Sequence, residues 1–234
     1  MNKKFFLPGT DKQLDILLKN LELKDLSALV IGEGSEEISK IISSQGAAKV
    51  VMLVQNEDSL LRARMSLSSS KEISVKMMEF ENTDFKNYSF DLVYAQASIS
   101  SPNRNKIIKE IKRILKPSGY FCLGEIIKST KSPPQFVKDI WNNSNVAPLF
   151  TEELEDYYKE RGFEIILSND ISETLYDFYL LSNNLLKDKS TDLPADEKSY
   201  YKKLLKQISH ESNVYLKLGG NAHIGFKVLI MKKV

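Results

Sequence analysis

Short apolar runs alternate with stretches of helical periodicity along most of this chain. Residues 26–31 (LSALVI) are nearly all apolar and lead into Gly-Glu-Gly, the pattern of a buried strand entering a tight turn. Ile38, Ile41 and Ile42 then share one helical face, with Ser35 placed to cap that helix and Gly46 to end it. Residues 49–54 (KVVMLV) predict a second buried strand, and residues 58–67 a helix carrying Leu60, Leu61 and Met65. Ile73, Val75 and Met77 alternate as a third strand does, and residues 90–94 (FDLVY) read as a fourth. Ile107, Ile108, Ile111, Ile114 and Leu115 are spaced along one face of an amphipathic helix. Residues 116–119 (KPSG) are expected to stop it, before a fifth strand at 120–127. Residues 129–148 predict a loop with a short helix. Thr151 is expected to cap a helix ending at Arg161 and Gly162, and residues 163–167 to form a sixth strand. Residues 175–186 and 197–210 have helical spacing, and the last strand is expected at 224–231.

Strands joined by helices imply right-handed crossovers and a parallel sheet. The pattern predicts an α/β, Rossmann-like fold: a mostly parallel seven-stranded sheet with helices on both faces, plus extra C-terminal helices. At 234 residues the chain fits a single domain, 1–234. Its core is expected at 26–168 and 224–234, with a helical insertion at 172–215 as lid or cap.

Composition narrows the chemistry. Net charge is +2 with both signs interspersed, so nothing points to a nucleic-acid or membrane partner. Cys122 is the single cysteine, which excludes an intrachain disulfide and a cysteine-rich metal site; its apolar strand marks it as a core residue. Two histidines, His210 and His223, are too few for a usual zinc site, so no metal is expected. The apolar run near Met1 is three residues long and closed by Pro8, which is not a signal peptide, and no run is long enough to span a bilayer. A cytoplasmic protein is the expectation.

Residues 90–100 (FDLVYAQASIS) and 107–126 (IIKEIKRILKPSGYFCLGEI) resemble the class I S-adenosylmethionine-dependent methyltransferases. The likeness is to the small-molecule branch, of the methyltransferase type 11 and ubiquinone-biosynthesis kind. There, Phe-Asp opens strand four, and the following amphipathic helix ends in Arg-x-Leu-Lys-Pro-x-Gly before strand five. Leu7-Pro8-Gly9-Thr10 is similar to a Pro-Gly-Gly lead-in that lies against the cofactor in some members. The resemblance covers about residues 7–168.

Carried over residue by residue, it implies a cofactor site. The family's acidic-x-Gly-x-Gly-x-Gly turn is matched by Gly32 and Gly34, while Val30 stands in place of the acid and Glu36 in place of the third glycine. A glycine turn lets backbone approach the cofactor, and the helix starting at Ser35 offers free N–H groups. Strand two of the family ends in an acid that accepts from both ribose hydroxyls; here Val54 and Gln55 occupy the place, leaving Gln55 to bond one hydroxyl. Glu57 and Asp58 read instead as the first turn of the next helix. Glu79 falls where an acid faces the adenine amino group, Phe80 beside it for the adenine face, and Phe85 at an aromatic position before strand four. Gln96, Ala97 and Ser98 follow strand four, at the edge where ligands of such sheets bind. Glu33 is read in two ways: as a stand-in for the acid missing at 30, pairing with the methionine amine, or as a solvent-facing side chain of a degraded site.

The resemblance thus implies S-adenosylmethionine as cofactor and methyl transfer to a small-molecule acceptor, with no dedicated catalytic base. A nicotinamide dehydrogenase is disfavoured by the missing strand-two acid and third glycine. The departures at 30, 36 and 54–55 leave open a methyltransferase-like binding or partner protein with weak or no cofactor binding. His223 reads as a turn residue or a base near the acceptor, and His210 as the C-terminal end of a charged helix. The tyrosine-rich last third reads as helix packing or as an acceptor pocket.

Overall fold

The structure, a computed structural model, describes residues 6–189 and 209–234. Its framework is one twisted sheet, with strands β1 (Ser27–Ile31), β2 (Lys49–Val54), β3 (Ile73–Met77), β4 (Phe90–Gln96) and β5 (Leu115–Lys128) running parallel. Two later strands, β7 (Phe163–Asp170) and β8 (Ile224–Lys233), complete it, and the order is β3-β2-β1-β4-β5-β8-β7. β8 inserts antiparallel between β5 and β7. A two-residue β6 (Leu149–Phe150) adds to the end of β5, so the sheet has eight strands among the described residues rather than the seven expected.

Helices α2 (Glu36–Ser44), α3 (Glu57–Ser66), α4 (Arg104–Ile114), α5 (Gln135–Asn143) and α6 (Leu154–Lys159) connect the strands. Alternation along β1 divides the core in two. Ala28 and Val30 face a cluster with Ile38 and Ile42 of α2, while Leu29 and Ile31 face one with Ile107, Ile108 and Ile111 of α4. Helices therefore cover both faces, as the pattern predicts.

Several local expectations are corrected. α1 (Lys12–Asn20) is an additional helix whose buried face holds Leu14, Ile16, Leu17 and the polar Gln13. β5 starts at Leu115, directly after α4, so residues 116–119 belong to the strand; a register shift opposite Phe90 and Leu92 accommodates them. Ser35 occupies the cap position of α2 but its side chain makes no capping bond. Thr151 caps nothing: Glu153 precedes α6, and the Thr151 N–H goes to the Lys128 carbonyl at 3.0 Å. His210 lies within helical backbone that runs on to residue 217, so it does not end its helix. Most of the helix expected at 197–210, with Tyr200, Tyr201 and the lysines at 202–206, lies outside the described residues.

The Phe-Asp and Lys-Pro motifs form a structural latch. Asp91 accepts from the Ser27 N–H at 3.0 Å and from Lys116 Nζ at 2.8 and 2.9 Å, joining the starts of β1, β4 and β5. Arg113 donates to Glu110 at 2.6 Å and to the Phe85 carbonyl at 2.7 Å, fixing the loop that delivers β4. Phe85 meets Phe90 edge-on at 4.9 Å. These contacts sit at the N-terminal ends of the strands, so the motif orders the sheet from the end opposite the ligand edge.

The C-terminal helices join the core. Leu175 and Tyr179 of α7 (Thr174–Lys189) are buried with Val214 and Tyr215 in the cluster that holds Phe226 of β8. The Tyr179 and Tyr215 rings lie 4.7 Å apart. Cys122 is a core residue as expected; burial pushes its thiol up to about 12.

Candidate functional site

Parallel pairing brings the C-terminal ends of β1, β2, β3 and β4 to one edge, where Gly32, Gln55, Met78 and Ala97 follow their last residues. The Gly32 N–H donates to the Leu53 carbonyl at 3.0 Å and the Met78 N–H to the Val54 carbonyl at 3.1 Å, which aligns the turns. Residues expected in one site from distant positions in the sequence are thereby neighbours.

The turn after β1 needs its first glycine. Gly32 has φ +124°, and a Cβ there would lie 2.7 Å from the Ser98 Cβ. Ser98 in turn donates to the Ile31 carbonyl at 2.8 Å, so the loop after β4 is strapped to the turn after β1. Ser35 opens α2, is 1% exposed, and its Oγ has no hydrogen-bond partner among the described residues. A buried hydroxyl without a partner is costly, and here it stands beside the free N–H groups of a helix start. The feature suits an anionic group such as a ligand carboxylate.

The departures at 30, 36 and 55 fall in different surroundings. Val30 is fully buried in the core cluster beneath α2, so its replacement of an acid is a packing change. Glu36 is half-exposed in the first turn of α2. Glu33 is exposed and accepts a hydrogen bond from the Asn56 side chain. Its carboxylate therefore sits beside the end of β2. Gln55 is exposed at the same place, and Glu57 and Asp58 lie in the first turn of α3, capped by Asn56 through a 2.9 Å bond from the Ser59 N–H.

Past β3 the two expected residues diverge. Glu79 is exposed and bridges to Asn82. Phe80 is 4% exposed and packed with Leu29, Ile31 and Leu53, so it is a core residue rather than an open aromatic face.

Gln96 does something the sequence does not show. It is 1% exposed, and its Nε2 donates to the carbonyls of Pro8 and Thr10, both at 2.8 Å, while Oε1 accepts from the Tyr94 hydroxyl at 2.5 Å. Gln96 therefore holds the N-terminal segment across the end of β4. Gly9 of that segment presses on Phe226, where a Cβ would lie 2.4 Å from the ring; the glycine serves close packing against β8. Leu7 lies over Gly34, 3.6 Å from its Cβ position, so the segment covers the turn after β1. Gln13 is fully buried, donating to the Ala95 carbonyl at 3.1 Å with its Oε1 unpartnered.

Sequence reasoning missed Asn56 and Gln13. Asn56 carries a signal, Asn three residues before Ser59 at a helix start. Gln13 carries another, a polar residue within an apolar helical face. His223 follows the turn at Gly220–Ala222, with its Nδ1 2.8 Å from the Thr130 hydroxyl and its carbonyl accepting from the Ser129 N–H at 3.0 Å. Among the described residues, no group of His, Cys, Asp and Glu is arranged to hold a metal ion, and no helix is long and apolar enough to cross a membrane.

Comparison with known proteins agrees with the geometry. Residues 29–123 match the family model described as "Methyltransferase domain". The sterol methyltransferase-like 3 protein of Botryococcus braunii is 26% identical over 159 residues, 63% of this chain and 41% of the relative. The chain spans about two fifths of the length of the curated relatives it matches,. Among solved structures, a phosphoethanolamine N-methyltransferase 2 of Haemonchus contortus, complexed with S-adenosyl-L-methionine, superposes with a TM-score of 0.75 at 16% identity, covering 99% of this chain and 54% of that one. The [4+2]-cyclase SpnF superposes at 0.73 and 16% identity, covering 95% and 80%. At such identities the superpositions show a shared fold.

Proposed function

We propose that this chain, whose residues 29–123 match the family model described as "Methyltransferase domain", is a class I S-adenosylmethionine-dependent methyltransferase that binds that cofactor at the Gly32–Ser35 edge and transfers a methyl group to a small-molecule acceptor. The observation that carries the reading is the orphaned Ser35 hydroxyl at the start of α2, in a turn that only glycine at position 32 allows.

The residues present fit the group. The turn N–H groups and Ser35 offer donors for a carboxylate. Glu33, held by Asn56 beside β2, and Gln55 offer acceptors for a ribose diol. This moves Glu33 from the methionine amine to the ribose side. Glu79 offers an acceptor for an adenine amino group. When bound, the cofactor supplies an electrophilic methyl on a sulfonium.

The chain's own part is binding and alignment. Gln96 and Tyr94 fix the N-terminal segment as a cover over the turn, which restricts water. Ala97 and Ser98 line the edge after β4, where an acceptor approaches. Aligning two reactants at close range supplies much of the acceleration in a displacement of this type. An acceptor already carrying a free lone pair needs no base.

The test is to incubate the purified chain with methyl-labelled S-adenosylmethionine and a fractionated small-molecule extract. Release of S-adenosylhomocysteine with label in a low-mass product is expected. Release no greater than the blank across all fractions contradicts the reading.

A further inference from the structure

Along the same edge, past β4 and β5, the chain forms a second cleft of about 650 Å³. That is within the range of about 300–1,000 Å³ of small-molecule pockets. Its walls are the start of α4, the end of β5 and the face of α5. Arg104, Lys128, Lys131 and Lys138 line it together with Trp141, and no Asp or Glu is among the lining residues.

The charge there is uneven. Arg104 is already matched: its Nε donates to Glu125 at 2.9 Å and its Nη2 to the Ala147 carbonyl at 2.7 Å. Tyr158 donates to the same Glu125 oxygen at 2.7 Å. Of this buried triad, only Arg104 lines the cleft. Lys128, Lys131 and Lys138 have no carboxylate partner among the described residues; Lys131 Nζ stands over the Phe150 ring, 5.5 Å from its centre. Asp139 on α5 is engaged by Gln135 at 2.8 Å.

The floor is apolar and has one open donor. Trp141 is 6% exposed and its indole Nε1 has no partner among the described residues. Pro102, Pro133, Pro148 and Leu149 complete the apolar surface. Buried indole N–H groups normally find an acceptor. The cleft thus presents three uncompensated ammonium groups, an unfilled donor and an apolar floor. The loop from Ser98 to Arg104 connects it to the Gly32 turn, since Ser98 is strapped to Ile31 and the Ser100 carbonyl accepts from the Ala147 N–H at 2.8 Å.

We infer that this cleft holds the phosphate or diphosphate end of an organic acceptor, and so selects a phosphorylated small molecule for the reaction proposed above. Three ammonium groups match a multiply charged oxyanion better than a single carboxylate, and the apolar floor favours an ester over the free inorganic ion. The assignment of the ligand as acceptor rests on the methyl-transfer reading; the anion site itself does not.

Trp141 is the only tryptophan in the chain, so its fluorescence reports on the cleft alone. The experiment is to titrate the full chain, at fixed ionic strength, with inorganic pyrophosphate and with phenyl phosphate. Saturable fluorescence changes are expected for both, with phenyl phosphate the tighter per unit of charge. In Lys131→Glu/Lys138→Glu both are expected to weaken by about tenfold or more. Lys131→Gln/Lys138→Gln, which only neutralises, is expected to fall between. A change linear in ligand, or equal affinity in wild type and both variants, overturns the site. Saturation by pyrophosphate with none by phenyl phosphate overturns the organic ligand. Calorimetry with S-adenosylmethionine on the same samples separates the claims: anion binding without cofactor binding overturns methyl transfer alone, and the reverse overturns the cleft alone.

Discussion

The side-chain amide of Asn56 donates to the carboxylate of Glu33, tying the turn after β1 to the turn after β2. The pair puts a carboxylate beside the end of β2 although that strand ends in Val54 and Gln55. Glu33→Gln keeps the shape and removes the charge. Its affinity for S-adenosylmethionine is expected to fall about tenfold, equivalent to ~1.4 kcal/mol. Glu33 is exposed, so thermal stability is expected to stay unchanged. Unaltered affinity by calorimetry contradicts a ribose-side role.

Ser35→Ala separates ligand binding from folding. The hydroxyl has no partner among the described residues, so the fold loses no hydrogen bond with it. Stability in denaturant titration is expected to hold or rise by up to about 1 kcal/mol. Cofactor affinity is expected to drop several-fold. Loss of stability without loss of affinity would show that the hydroxyl serves the fold.

Gln96→Ala is expected to release the N-terminal segment. It removes bonds to Pro8 and Thr10 and leaves the buried Tyr94 hydroxyl unpaired. The cost is expected at roughly 2–3 kcal/mol. Hydrogen exchange is expected to quicken at Thr10 and Gln13, whose N–H groups bond to Leu7 and Gly9, while β1 and β2 stay protected. Uniform quickening across the sheet would instead show a global effect.

The latch at Asp91 makes stability depend on acid pH. Burial alone would raise its carboxyl, but the bond and charge of Lys116 and the Ser27 N–H outweigh it and hold the group below its ordinary value. Such a group contributes stability that is fully present above its unfolded value of about 3.9 and is lost as pH falls through the folded value. Asp91→Asn is therefore expected to be less stable near neutrality, with the gap from wild type closing below about pH 4. A gap constant from pH 7 to pH 2 contradicts the linkage (about 5 pH units of titration suffice to see it).

Much of the fold was legible because buried parallel strands are continuous apolar runs, as in residues 49–54, and α4 keeps a clean periodicity from Ile107 to Ile114. Where β5 begins was not legible, since Pro117 and Gly119 signal a stop while the strand absorbs them through a register shift. α1, as long as α2, was hidden because its buried face includes the polar Gln13. Of the candidate site, the glycine turn and the edge after β4 were readable from their place after buried strands. The roles of Gln96 and Phe80 were not, because each depends on a tertiary partner: Pro8 and Thr10 for one, the Leu29–Leu53 face for the other. The basic cleft was invisible for the same reason. Lys128, Lys131 and Lys138 look like scattered charges until β5 and α5 bring them to one wall.

The central claim is that the edge at Gly32–Ser35 binds S-adenosylmethionine, and calorimetric titration of the full chain with that cofactor and with S-adenosylhomocysteine tests it most directly. The expected result is saturable binding of both, weakened in Ser35→Ala and Glu33→Gln. Absence of binding of either ligand at millimolar concentration to a folded wild-type chain contradicts the account.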